Sequence, residues 1–185
     1  VFQGKLEKGI SLDATLSTFK DQTIEYPFSY GYSWAGIVEQ TGSKLSNLSI
    51  GDRIFAFAPH QSHHVLDADS CYKLPHNLSN EVATLLPSME TALGIAHDTH
   101  PVAGEDICIF GQGTIGLLTT WILKQFPLST LTTIDPLLSR HATSIKLGAD
   151  KALTPEDIDD DLNADTVIEA SGTPCALAPA VNLTR

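Results

Sequence analysis

The sequence predicts an α/β protein: a β-rich lobe followed by a parallel sheet with flanking helices. Three observations predict it. Short apolar runs punctuated by turn residues fill the stretch 35–75, the spacing of a small all-β lobe. Past residue 80 the apolar period becomes helical. From residue 106 onward, strand-like runs alternate with helical ones, which implies βαβ units, right-handed crossovers and helices on both faces of the sheet.

Each element has its own signal. Residues 23–28 read as loop or edge strand, because Pro27 has no N–H for a central ladder. Residues 35–40 form a short strand closed by Thr41-Gly42-Ser43, and Ile50-Gly51-Asp52 turns into a strand over 53–57. Residues 64–66 and 71–75 are further short strands. Asn80 is the expected N-cap of a helix over 81–86, and Pro87 separates it from a second over 89–97. A strand over 106–110 enters Gly111-Gln112-Gly113-Thr114-Ile115-Gly116. Ile115, Leu118, Ile122 and Phe126 then make an apolar helix stripe that Pro127 ends. Residues 131–135 are a strand and 139–147 a helix stopped by Gly148. Strands follow over 151–153 and 166–170, and residues 178–185 read as a helix running to the last residue.

The chain has 185 residues, 42% hydrophobic and 18% charged, a globular composition. No apolar run approaches the roughly 20 residues of a membrane span. A formal charge of −11 argues against nucleic acid and anionic membranes as partners. Cys71, Cys108 and Cys175 are scattered without a C-x-x-C pair, which fits a reducing, cytoplasmic setting. The acidic run 156–161 reads as a solvated loop in preference to a metal site.

Chemistry concentrates at the glycines. In strand–turn–helix context, Gly111 allows a tight turn and Gly113, lacking a Cβ, admits a pyrophosphate to the backbone. Gly116 lets the helix pack closely. The helix N-terminus, with Thr114 and Ile115, presents unpaired N–H groups to phosphate. Asp135 ends the next strand about 20 residues on, where a Rossmann unit places its ribose-binding acid. A carboxylate there accepts from both ribose hydroxyls and repels a 2′-phosphate, favouring NAD over NADP. Arg140 complicates the choice, because an arginine pairs with that phosphate or stacks on adenine. Asp135 as a helix N-cap is the other reading. Ser171, in the turn Glu169-Ala170-Ser171-Gly172, exits a strand onto the ligand crevice and is placed toward the nicotinamide end.

The segments 30–38, 48–55 and 111–116, with Leu147-Gly148-Ala149-Asp150, resemble the medium-chain dehydrogenase/reductase family, which includes the zinc-type alcohol dehydrogenases. The resemblance covers nearly the whole chain. It implies a GroES-like β-rich lobe with its helical link over 1–98 and a Rossmann NAD(P)-binding domain over 99–185, each partial. By comparison with members of the family the chain reads as a fragment lacking both ends.

The implied activity is hydride transfer between NAD(H), with NADP as the lesser choice, and a small-molecule alcohol or carbonyl substrate. Homo-oligomers are left open. The zinc pattern departs from the family. Zinc members carry Gly-His-Glu where this chain has Gly31-Tyr32-Ser33, and a four-cysteine structural loop that it cannot form. Tyr is a poor zinc ligand, so the expectation is an enzyme without catalytic zinc. For the proton, the candidates are Tyr32, which is equally a packing residue, His60 or His63, from the group His60, His63 and His64, and Glu90. Loop positions are the better reading of the histidines. Glu90 lies where the family's helical link passes the cleft, as metal ligand, proton relay or helix cap. The alternatives are a zinc-independent enone or quinone reductase on the same scaffold and a nucleotide-binding relative without catalysis.

Overall fold

In the computed structural model residues 30–43, 46–159 and 161–185 are described; the loop or edge strand expected over 23–28 lies outside them. The chain divides into two compact units, one up to Pro87 and one over Ser88–Arg185, whereas the sequence puts its boundary at 98/99.

In the first unit, β1 (Trp34–Ile37), β2 (Arg53–Ala56) and β3 (Tyr72–Lys73) form an antiparallel sheet in that order. Trp34 pairs with Ala56 and Ile37 with Arg53. The β2 side chains Ile54, Phe55 and Ala56 are buried, and the Phe55 ring meets Phe57 edge-on at 5.1 Å. The turn before β2 is held by Asp52, which accepts from the Ser49 N–H at 2.9 Å and pairs with Lys73 at 2.7 Å. The Arg53 guanidinium donates to the carbonyls of Pro75, His76 and Leu78, fixing the chain after β3.

Three expectations fail here. Residues 64–66 are not a strand: Val65 is fully exposed, and His64 is tied to the Pro59 carbonyl at 2.9 Å. The N-cap of α1 (Asn80–Ala83) is Ser79, whose hydroxyl accepts from the Val82 N–H at 3.3 Å; Asn80 is the first helical residue. Pro87 does not separate two helices either. It sits in the first turn of α2 (Leu86–Thr99), where a missing N–H leaves no bond unmade.

In the second unit β4 (Asp106–Phe110), β5 (Thr130–Ile134), β6 (Lys151–Leu153) and β7 (Thr166–Glu169) form a wholly parallel sheet, ordered β6-β5-β4-β7. The chain runs outward from β4 to β6 and then returns to the other side of β4, so strand order reverses there. Alternation along β4 fills both faces. Ile107 and Ile109 pack with Ala96 of α2, Leu123 of α3 (Thr114–Leu123), Leu131 and Ile168. Cys108 and Phe110 pack with Ile134, Ala164 and, from α5 (Pro174–Leu183), Ala180 and Leu183. A strand buried on both sides is why this run is continuously apolar. α4 (Leu138–Leu147) ends at Gly148 with φ 118°, as expected.

Two helices differ from expectation. The buried face of α3 is Gly116, Thr119, Thr120 and Leu123. Ile115, Leu118 and Ile122 are only partly covered, and Phe126 lies beyond the helix, exposed. Small and threonine side chains let α3 approach the sheet more closely than a bulky stripe would. α5 begins at Pro174 and closes at Leu183, and Thr184 is extended and bridges to Ala164. No helix among the described residues is long and apolar enough to cross a membrane.

Candidate dinucleotide site

β4 delivers the glycine turn to the point where strand order reverses, the place where open α/β sheets form their ligand crevice. Gly111 has φ +86°, and a Cβ there would meet Ser171 Cα at 2.5 Å and Ser171 N at 2.6 Å. The first glycine therefore packs on the exit of β7, which brings Ser171 to the turn. A Cβ on Gly116 would lie 1.8 Å from the Gly111 carbonyl oxygen, so the helix closes on the turn itself. Gly113 is the opposite case: among the described residues a Cβ there would meet nothing within 4 Å. The turn is packed on its inner side and open at Gly113. Gly113 is the N-cap of α3 without a side-chain cap, and the N–H groups of Thr114, Ile115 and Gly116 precede any carbonyl the helix could offer them.

Asp135 follows β5 and is 1% exposed. Its Oδ2 accepts from the Gln112 backbone N–H at 2.7 Å and from Arg140 Nη1 at 2.9 Å; its Oδ1 accepts from the Leu137 N–H at 2.8 Å. Burial pushes this carboxyl's pKa up, but the donors from Gln112, Leu137 and Arg140 outweigh it and hold it below the ordinary carboxylate value. The N-cap of α4 is Leu137, without a side-chain cap, so Asp135 is not the helix N-cap. Asp135 holds the Leu137 N–H just before the helix, and it joins the glycine turn to the end of β5. Arg140 is half exposed, and its neighbour His141 contacts the Asp135 carbonyl through Nε2 at 2.8 Å.

Ser171 is organised by Glu169, which accepts from the Ser171 N–H at 2.7 Å and from its hydroxyl. The Thr173 hydroxyl lies 2.9 Å from that of Ser171. Gln112 and Thr120 were not singled out from the sequence. Gln112 is 1% exposed, donates through Nε2 to the Gly111 carbonyl at 3.2 Å, and accepts at Oε1 from the Thr120 hydroxyl at 3.1 Å. The available signal was an amide side chain inside an apolar turn, with a threonine eight residues on along the helix.

The expected proton-handling residues fall in different units. Tyr32, 39% exposed, meets the Tyr30 ring edge-on at 6.4 Å. His63 is exposed, with Nδ1 3.1 Å from the Ser62 hydroxyl and Nε2 3.9 Å from Glu39. Both belong to the first unit; Glu90, exposed on α2, belongs to the second. Among the described residues no three His, Cys, Asp or Glu side chains form a group able to hold a metal ion.

No family model matches the chain. It is similar to D-xylulose reductase A of Aspergillus oryzae, 23% identical over 88% of this chain and 58% of that protein. It is also similar to sorbitol dehydrogenase of Bombyx mori, 27% identical over 70% of this chain and 46% of that one. The chain thus spans about half the length of these relatives. Among solved structures, 2R,3R-butanediol dehydrogenase from Bacillus subtilis superposes with a TM-score of 0.69 at 24% identity, over 86% of this chain and 56% of that chain. Galactitol-1-phosphate dehydrogenase from Escherichia coli superposes at 0.72 and 18%, over 90% and 59%. Relatives and fold agree with the resemblance to the medium-chain dehydrogenase/reductase family that the motifs at 30–38, 48–55 and 111–116 carry.

Proposed function

We propose that the protein is an oxidoreductase that transfers a hydride between NAD(H) and an alcohol/carbonyl pair, with polyols and their ketoses as the substrate class. The observation that carries this reading is the glycine turn. It is closed on its inner side by Ser171 and the Gly111 carbonyl, open at Gly113, and tied to a buried acid, Asp135. The cofactor supplies the hydride chemistry. The chain's contribution is to bind and orient: the first-turn N–H groups of α3 receive the pyrophosphate, and Ser171 offers a hydroxyl at the exit of β7.

Asp135 has three donors already, and a carboxylate offers about four acceptor sites. Seating both ribose hydroxyls therefore requires Arg140 to release Oδ2, which frees its guanidinium for adenine or for a 2′-phosphate. That supports NAD as the first choice and NADP as a second. Tyr32, His63 and Glu90 are the proposed proton-handling groups. The substrate class follows from the relatives that act on D-xylulose and sorbitol by name.

The test is a fluorescence titration of the purified chain with NADH and NADPH, then turnover assays with D-xylulose plus NADH and sorbitol plus NAD. Saturable NADH binding with turnover of either pair is expected. Binding without any turnover would leave a nucleotide-binding relative as the reading, and no binding would overturn the site. A second reading, a zinc-independent reductase, rests on Tyr32 in place of the family's histidine. It predicts full activity after chelator treatment.

A further inference from the structure

We infer that Gln112 is a positioning residue for the dinucleotide, acting with Thr120 to set the phosphate-binding turn; this rests on the reading of that turn as a cofactor site. Gln112 is clamped at two points. Its backbone N–H is held by Asp135 Oδ2 at 2.7 Å, and its side-chain amide lies between the Gly111 carbonyl, 3.2 Å, and the Thr120 hydroxyl, 3.1 Å. Thr120 in turn lies 2.8 Å from the Gly116 carbonyl. One residue thus touches the first glycine directly, the third through Thr120, and the acid at the end of β5.

The location makes this more than packing. Gln112, Thr120 and Asp135 are each no more than 1% exposed, and a buried amide and hydroxyl are costly unless bonded. An apolar side chain would fill the same volume without that requirement. A bonded network, however, permits one arrangement of the Gly111 carbonyl relative to Gly116, and a greasy contact permits several. The Gly111 carbonyl needs that control. It lies where a Gly116 Cβ would be 1.8 Å away, and its peptide plane helps set the direction of the Gln112 and Gly113 backbone leading into the α3 N-terminus. Among the described residues nothing lies within 4 Å of where a Gly113 Cβ would point, so the buried side sets the position of this turn. A turn misplaced by a few tenths of an ångström weakens contacts to the pyrophosphate and leaves the adenosine end alone.

The experiment uses Gln112→Met, which keeps the volume and removes both side-chain bonds, Thr120→Val, and Thr120→Ser, which keeps the hydroxyl. Affinities for ADP and adenosine are measured for the full chain by calorimetry or ligand-observed NMR, with melting temperature alongside. ADP affinity is expected to fall about tenfold in Gln112→Met and Thr120→Val, the equivalent of about 1.4 kcal/mol. Adenosine affinity stays within twofold, and Thr120→Ser keeps wild-type ADP affinity. Equal losses for ADP and adenosine, or an unchanged ADP affinity, would overturn the inference. Should Gln112→Met fail to fold, the Thr120 pair decides alone. If the wild-type chain binds neither ADP nor NADH, the cofactor-site reading itself falls; if it binds both and the variants match it, only the role of Gln112 falls.

Discussion

The backbone N–H of Gln112 donates to Oδ2 of Asp135 at 2.7 Å, joining the glycine turn to the strand that follows it across 23 residues of chain. The same carboxylate accepts from Leu137 and Arg140. Replacing it with asparagine leaves one oxygen for three donors and turns an amide N–H₂ toward one of them. Asp135→Asn is therefore expected to destabilise the second unit by about 2 kcal/mol, the usual cost of unmade buried hydrogen bonds, and to weaken NADH binding at least tenfold. Urea denaturation and NADH titration read the two effects. Unchanged stability would mean that the turn does not depend on this carboxylate.

Gly113 and Gly116 predict opposite phenotypes. Gly113 has φ −74° and open space where a Cβ would point, so Gly113→Ala is expected to keep the melting temperature and lose NADH binding by tenfold or more, because the methyl group occupies the phosphate approach. Gly116→Ala drives a methyl group into the Gly111 carbonyl and is expected to cost about 1–3 kcal/mol, as overpacking does. A stable Gly116→Ala protein, or a Gly113→Ala protein that binds NADH normally, would contradict this division of labour.

What was legible in the chain was what backbone chemistry demands. Gly111 and Gly116 could be placed because a tight turn and a close helix approach exclude side chains, and Asp135 could be placed just after β5 because the βα repeat fixes its distance. The parallel sheet followed from alternation, with Ile107 and Ile109 on one face and Cys108 and Phe110 on the other. What escaped was set by tertiary partners. The inward face of α3 carries Thr119 and Thr120 in place of the aliphatic stripe: Thr120 bonds to Gln112 and the Gly116 carbonyl, and Thr119 is small enough to allow close packing though its buried hydroxyl has no hydrogen-bond partner among the described residues. The run 64–66 has strand composition, but β2 already pairs with β1 on one side and β3 on the other. Ser79 rather than Asn80 caps α1, a one-residue shift that composition cannot resolve. Gln112 occupies a variable position of G-x-G-x-x-G, and only its burial and hydrogen bonds in the fold set it apart.

Arg140 offers a test of cofactor choice. Its guanidinium rests on Asp135 at 2.9 Å with its side chain half exposed, so it can leave that carboxylate at little cost in burial. With a 2′-phosphate it becomes the compensating cation; with a ribose diol it must only step aside. Arg140→Ala is expected to reduce NADPH affinity about tenfold while NADH affinity changes less than threefold. Competitive titration of the two nucleotides measures the ratio, and a loss shared equally between them would rule out a role in discrimination.

Acid sensitivity is expected from the opposite end of the sheet, where Asp106 begins β4. Its carboxyl is held below the usual range, first by the hydroxyls of Ser129 and Thr130 and then by Arg185. Arg185 Nη2 lies 2.9 Å from Asp106, and its Nη1 lies 3.0 Å from Asp165. Asp165 Oδ2 also accepts from the Asp106 backbone N–H at 2.9 Å. The folded-state pKa is depressed, so the folded chain binds fewer protons than the unfolded one. The stabilisation is therefore fully present above the unfolded value of about 3.9 and is lost as pH falls through the folded value. Asp135, depressed for its own reasons, contributes in the same direction. Urea midpoints are expected to stay level from pH 8 to about pH 5 and to drop steeply below about pH 4. Arg185→Ala is expected to be less stable than wild type at pH 7 and to approach it as pH falls through the depressed Asp106 value, because a protonated Asp106 no longer attracts the guanidinium. Parallel pH profiles for the two proteins would show that this network does not carry the acid response.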